Sequence, residues 1–186
     1  MQTIEEVKID TNLYSRQIGT FGLETMGKLV KLKVLIVGLR GLGVETAKNI
    51  ILAGPASVTL YDPTIARIND MGSNFYLTQV HIGTATRADA SLPQLAELNN
   101  HVKVCTISSL TMEDHLNYNV VCYTERFETI DHLEKINEFC RANKVGFILS
   151  ETLGAAGYAF LDYGNSHIVT DNDGEATKSF IVVAIS

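Results

Sequence analysis

The chain has 186 residues, 46% of them hydrophobic, and a formal net charge of -6. It is long enough for one domain, or one domain and part of another, with a substantial core, and its negative balance speaks against nucleic acid or an anionic membrane as the main partner. No apolar run approaches the roughly 20 residues a bilayer requires, and the acidic, polar start MQTIEEVKIDTN lacks the features of a signal peptide.

In chain order, residues 1–12 read as a flexible tail. From Tyr14 to about Leu32 the positions Ile18, Phe21, Leu23, Met26, Leu29 and Val30 form a helical stripe interrupted by glycines. KVLIVG (33–38) is a β-branched run ending in glycine, the pattern of a central parallel strand. Val44 to Ala53 reads as helix, stopped by Gly54 and Pro55. SVTLYD (57–62) is the next strand, and 63–83 is irregular. Helix is predicted over 85–99, strand over 102–108, strand over 119–124, helix over 129–143 and strand over 145–151. GYAFLDYG (157–164) and 167–186 then read as strands, the second a hairpin turning at Asp171 to Gly174.

Alternation of strand and helix through residue 151 predicts an α/β fold with a mostly parallel sheet. The end of the chain is strand after strand and stops within the run FIVVAIS. This predicts a Rossmann-like domain over 13–165, then a truncated all-β module over 166–186. Cys105, Cys122 and Cys140 are odd in number and lack a C-x-x-C spacing, which suits buried thiols in a reducing compartment. The scattered histidines suggest no metal site. Asp171 to Glu175 places its glycine fourth, where a calcium-binding EF-hand loop needs it sixth.

VLIVGLRGLGVETAKN (34–49) has the layout of a dinucleotide-binding loop. In a working G-x-G-x-x-G loop the first glycine makes the turn, the second admits a pyrophosphate, and the third lets helix pack on strand. Gly38 and Gly43 fill the first and third roles. Arg40 stands at the second, with Gly41 one position late. Asp62 ends the next strand, where an acidic residue would take a ribose or, as read here, cap a backbone turn. The expected outcome is a preserved fold with a degenerate cradle, in which Arg40 projects into the phosphate space and packs there. A stand-alone NAD-dependent oxidoreductase is an alternative from this loop, but Arg40 and the lack of a His, Lys or Tyr constellation weigh against it.

YSRQIGTFG (14–22), GLRGLGVETAKNIILAG (38–54), VTLYD (58–62), SNFYL (73–77) and TDNDGE (170–175) together resemble the N-terminal half of ubiquitin-activating enzymes. The resemblance implies a ThiF-type adenylation fold of the inactive kind, paired with an active half that holds ATP and magnesium and acts on ubiquitin. It implies further partners in the conjugating enzymes and a cytoplasmic and nuclear location. Departures from the active pattern fit the inactive assignment: Arg40 for the central glycine, Thr64 for a second aspartate, Ser73 for a phosphate-binding arginine, Gly83-Thr84 for Gly-Lys, and TERFET (124–129) without a magnesium-binding aspartate. No cofactor is expected in cis. Arg16, on a segment that in this family reaches the partner's ATP, is expected to contact phosphate in trans. The alternative within the resemblance is the small subunit of a heterodimeric activating enzyme for another ubiquitin-like protein.

Overall fold

The computed structural model describes residues 10–166. The hairpin and β module expected over 167–186, and most of the tail expected over 1–12, lie outside those residues.

Among the described residues the chain alternates strand and helix. The strands are β1 (Lys33–Val37), β2 (Ser57–Tyr61), β3 (Lys103–Thr106), β4 (Val120–Tyr123), β5 (Gly146–Leu153) and β6 (Ala156–Asp162). The helices are α1 (Ser15–Leu29), α2 (Gly41–Ala53), α3 (Arg87–Glu97) and α4 (Ile130–Ala142), with short 3-10 turns at Ile68–Gly72, Gln79–His81 and Glu113–Asn117. One six-stranded sheet has the order β3-β2-β1-β4-β5-β6. β1 to β5 pair in parallel and β6 runs antiparallel to β5. This is the Rossmann-like arrangement, with β1 between β2 and β4.

β1 explains why its run is continuously apolar. Val34 and Ile36 face a core shared with Val44, Ala47 and Ile51 of α2 and Leu95 of α3. Leu35 and Val37 face the opposite core, with Leu133 and Ile136 of α4 and Phe147 of β5. A strand buried on both faces has no polar alternation, and each such side chain contributes about 1.5–3 kcal/mol of burial. Gly54 ends α2 in the left-handed region at φ 91°, ahead of Pro55, as a helix stop requires.

Three expectations need correction. α2 begins at Gly41 rather than Val44, because the loop glycines form its first turn. α1 is interrupted at Gly22 (φ 78°, ψ 160°), as the glycines suggested, but the stripe is not a core stripe: Met26 is its one buried residue, and Phe21 and Leu23 are exposed among the described residues. The 63–83 segment is not merely irregular. Its two 3-10 turns and a bridge between Ile65 and Thr86 pack Ala66 and Leu77 against Ala90.

Candidate functional site

In open α/β sheets the ligand crevice lies beyond the carboxyl ends of the strands, where the winding reverses. Here that place is between β1 and β4. A cleft of about 690 Å³ lies there, bounded by Arg40 to Leu42 after β1, Thr124 to Arg126 after β4, and Glu151 to Leu153 at the end of β5.

The glycine turn is tightly built. Gly38 adopts φ 96°, a region open chiefly to glycine. A Cβ on Gly43 would stand 1.9 Å from the Gly38 carbonyl oxygen, so the third glycine permits the helix to close on the strand. Thr124 Oγ1 donates to that same carbonyl at 2.8 Å. Leu39, next in the turn, is held at both peptide groups. Its N–H donates to Asp62 Oδ2 at 2.7 Å, and its carbonyl accepts from Asn74 Nδ2 at 2.9 Å. Asn74 comes from the SNFYL segment and is fully buried, which gives that segment a structural purpose.

Asp62 is saturated. Oδ2 also accepts from Arg87 Nε at 2.8 Å, while Oδ1 accepts from the Thr64 N–H at 2.9 Å and from Arg87 Nη2 at 3.2 Å. The carboxylate that a ribose would need is spent on the turn and on a guanidinium. Arg87 itself is 0% exposed. It reaches three carboxylates: Asp62, Asp70 (Nη1 to Oδ1, 3.3 Å) and Glu125 (Nη2 to Oε2, 2.7 Å). A buried guanidinium is tolerable only when its charge and its donors are met in this way.

Arg40 does not pack into the turn as expected. Its backbone is ordinary extended (φ -74°, ψ -172°), so no glycine is required at that position. Its side chain is 61% exposed on the cleft wall, and Nε pairs with Glu125 Oε1 at 3.1 Å. Asp62 and Asn74 already fill the hydrogen-bonding needs of the turn beneath it, leaving solvent and Glu125 as its surroundings.

Arg87 and Glu125 were missed by sequence reasoning. Arg87 reads as a first-turn helix residue. Glu125 lies in the TERFET loop, where no local pattern marks a glutamate that pairs with distant arginines. The other residues singled out from the sequence are not drawn together. Ser73 lines the cleft, its Cβ 2.8 Å from where a Cβ on Gly41 would be. The Thr84 hydroxyl donates to the Val80 carbonyl at 2.8 Å. Arg16 is exposed on the first turn of α1.

The charges around the cleft do not fit a magnesium triphosphate. Its lining holds three carboxylates, Glu125, Glu128 and Glu151, against two guanidiniums, Arg40 and Arg126. Both guanidiniums are paired, Arg126 with Glu151 and Arg40 with Glu125. A triphosphate needs an excess of cation and a free oxygen ligand for its metal.

A second cavity, of about 270 Å³, lies under the 3-10 turn before β4. His115 is buried there, its Nδ1 bonded to the carbonyls of Thr111 and Met112 and its Nε2 accepting from Tyr123 Oη at 2.8 Å. Burial pushes the imidazole below its ordinary value and the Tyr123 phenol above its own. The thiols follow the sequence reading. Cys122 and Cys140 are buried, with burial raising both to about 11, and Cys105 is half-buried. No group of three or more metal-ligating side chains occurs, and no helix is long and apolar enough to cross a membrane, among the described residues.

Residues 14–178 match the ThiF family. The chain is 40% identical over its whole length to ubiquitin-like modifier-activating enzyme 1 of Dictyostelium discoideum. It is 42% identical over 96% of its length to ubiquitin-activating enzyme E1 1 of Schizosaccharomyces pombe, and 41% identical over 97% to ubiquitin-like modifier-activating enzyme 1 of Homo sapiens. It spans 17–18% of the length of these relatives.

Proposed function

Because the chain belongs to the ThiF family, we propose that it is the non-catalytic adenylation-type half of a ubiquitin-activating enzyme. In this reading it scaffolds a pseudo-dimer whose active half holds ATP and magnesium, adenylates ubiquitin and passes it on as a thioester. The relatives' names support ubiquitin, or a ubiquitin-like modifier, as the substrate of the whole protein. Residues 13–165 are the adenylation-type domain. Conjugating enzymes are partners through the whole protein, and its location is cytoplasmic and nuclear.

One observation carries the non-catalytic assignment. Asp62, the carboxylate a ribose would need, is consumed by Arg87 and by N–H groups of the chain's own turns, and Glu125 beside the glycine turn sets its charge against Arg40 in the cleft. The same saturation removes support from an NAD-dependent reading. The pseudo-dimer is supported by apolar side chains left at the surface of the 63–83 segment, where Ile68, Phe75 and Val80 are each more than half exposed. Exposed apolar side chains of this kind suit a face that meets a partner.

Arg16 is the residue assigned to chemistry. Exposed on α1, it is free to reach a phosphate held by the active half and to stabilise charge there as pyrophosphate leaves. Arg16→Ala in the whole protein should slow ATP–pyrophosphate exchange with ubiquitin by roughly 10–1000-fold, with an unchanged melt. Thioester transfer from preformed adenylate should be spared, since no ATP phosphate remains to be met. Exchange within about twofold of wild type would remove Arg16 from the mechanism.

A further inference from the structure

We propose that Glu125 is the residue that turns this cleft against polyphosphate: its carboxylate is the built-in counter-anion of Arg40 and Arg87. This rests on the non-catalytic reading and names the group that enforces it.

Shape does not exclude an anion here. The glycine turn is already closed, with Leu39 pinned through Asp62 and Asn74, and α2 starts at Gly41 without an acidic residue in its first turn. A cation also stands ready, since the Arg40 side chain is largely exposed on the cleft wall. What the ligand would contribute, negative charge against that guanidinium, the chain supplies itself.

Glu125 is fixed in that role by its backbone. A Cβ on Gly38 would lie 2.6 Å from Glu125 Cβ and 3.0 Å from Glu125 N, so the stem of Glu125 is pressed against the first glycine of the turn. Its two oxygens are then divided between the arginines. Oε2 meets buried Arg87 at 2.7 Å, and Oε1 meets exposed Arg40 at 3.1 Å. The Arg87 bond is shielded from solvent and anchors the carboxylate; the Arg40 bond is what an incoming phosphate would have to break. A phosphate approaching Arg40 would also meet the charge of Glu125 at close range, a repulsion that low-dielectric walls strengthen.

Glu125→Gln tests this. The amide oxygen still accepts from Arg87, so the buried contact persists while the charge is gone. Glu128→Gln is the control: Glu128 lines the same cleft but is not among the ion-pair partners of Arg40 or Arg87. Binding of inorganic pyrophosphate, without metal, is measured by calorimetry on the three proteins, each checked by a thermal melt. The expected result for the wild type is weak binding, with a Kd of about a millimolar or more. Glu125→Gln should gain at least about tenfold in affinity, weakened again by salt, and Glu128→Gln should gain less than about threefold. A smaller gain for Glu125→Gln, or an equal gain for both variants, overturns the role of Glu125. If Glu125→Gln melts more than a few degrees early, Arg40→Gln in the Glu125→Gln background decides. Loss of the gained binding upholds the proposal, and a gain that is absent or survives without Arg40 overturns it. Tight binding by the wild type would instead strike the non-catalytic reading itself.

Discussion

Arg87 lies across the end of β2 with both Nε and Nη2 on the carboxylate of Asp62, at 2.8 and 3.2 Å, and neither side chain is open to solvent. The pair joins α3 to the residue that holds the glycine turn. Breaking a buried pair by removing one partner leaves an uncompensated charge, at a cost of about 3–5 kcal/mol. Arg87→Met strands Asp62, Asp70 and part of Glu125 at once, so a loss at the upper end of that range is expected. Urea unfolding measures it; a loss below about 1 kcal/mol would mean the cluster contributes little.

Gly43→Ala tests the closure of α2 on β1. Its new methyl would stand 1.9 Å from the Gly38 carbonyl and 2.5 Å from Thr124 Oγ1, groups held by the sheet and by each other. The backbone must move or the helix must tilt, so a loss of more than about 3 kcal/mol or failure to fold is expected. Gly72→Ala, where nothing lies within 4 Å, should stay within about 0.5 kcal/mol of wild type. Similar melts for the two variants would contradict the geometry.

Arg40→Gly restores the central glycine but should not restore a nucleotide site. The side chain is largely exposed and makes one ion pair, so its loss should cost no more than about 1 kcal/mol. Asp62 stays saturated and Glu125 keeps its charge. ATP binding by this variant in the micromolar range would mean that Arg40 alone blocks the cleft.

The overall fold was open to sequence reasoning for a physical reason. From Val34 to Val37 β1 is buried on both faces, so that stretch carries no polar residue, and glycine, helix and Asp62 follow at the spacing a βαβ unit imposes. Arg87 and Glu125 were not open to it. The partners of Arg87 are 17, 25 and 38 residues away in sequence, and no local pattern marks a charge that will be buried by such distant neighbours. The Arg40 side chain was misplaced for a related reason. Its substitution for glycine was visible, but the direction it takes depends on Glu125, 85 residues further along the chain.

Buried His115 predicts a pH dependence of stability. Burial lowers its folded value below 6.5, offset by the bonds to Met112 and Thr111 and by Asp114 on its own turn, while His132 of α4 adds to the lowering and Tyr123 of β4 occupies Nε2. The unfolded chain therefore takes the proton first as pH falls. Its contribution is complete above 6.5 and declines below it until the folded imidazole also protonates, by at most about 1.4 kcal/mol per pH unit. Unfolding at pH 7.5 and 5.5 should show a larger drop for wild type than for His115→Gln. Equal drops would show that His115 is not held neutral.

Calorimetry of the chain with ATP and magnesium separates a non-catalytic half from a nucleotide-binding one. With Asp62 saturated, Glu125 paired and carboxylates outnumbering guanidiniums in the cleft, no saturable binding is predicted at nucleotide concentrations of about a millimolar, where even an interaction worth about 4 kcal/mol would register. Saturable 1:1 binding in the micromolar range would contradict the account, and the chain would then be a nucleotide-binding half in its own right.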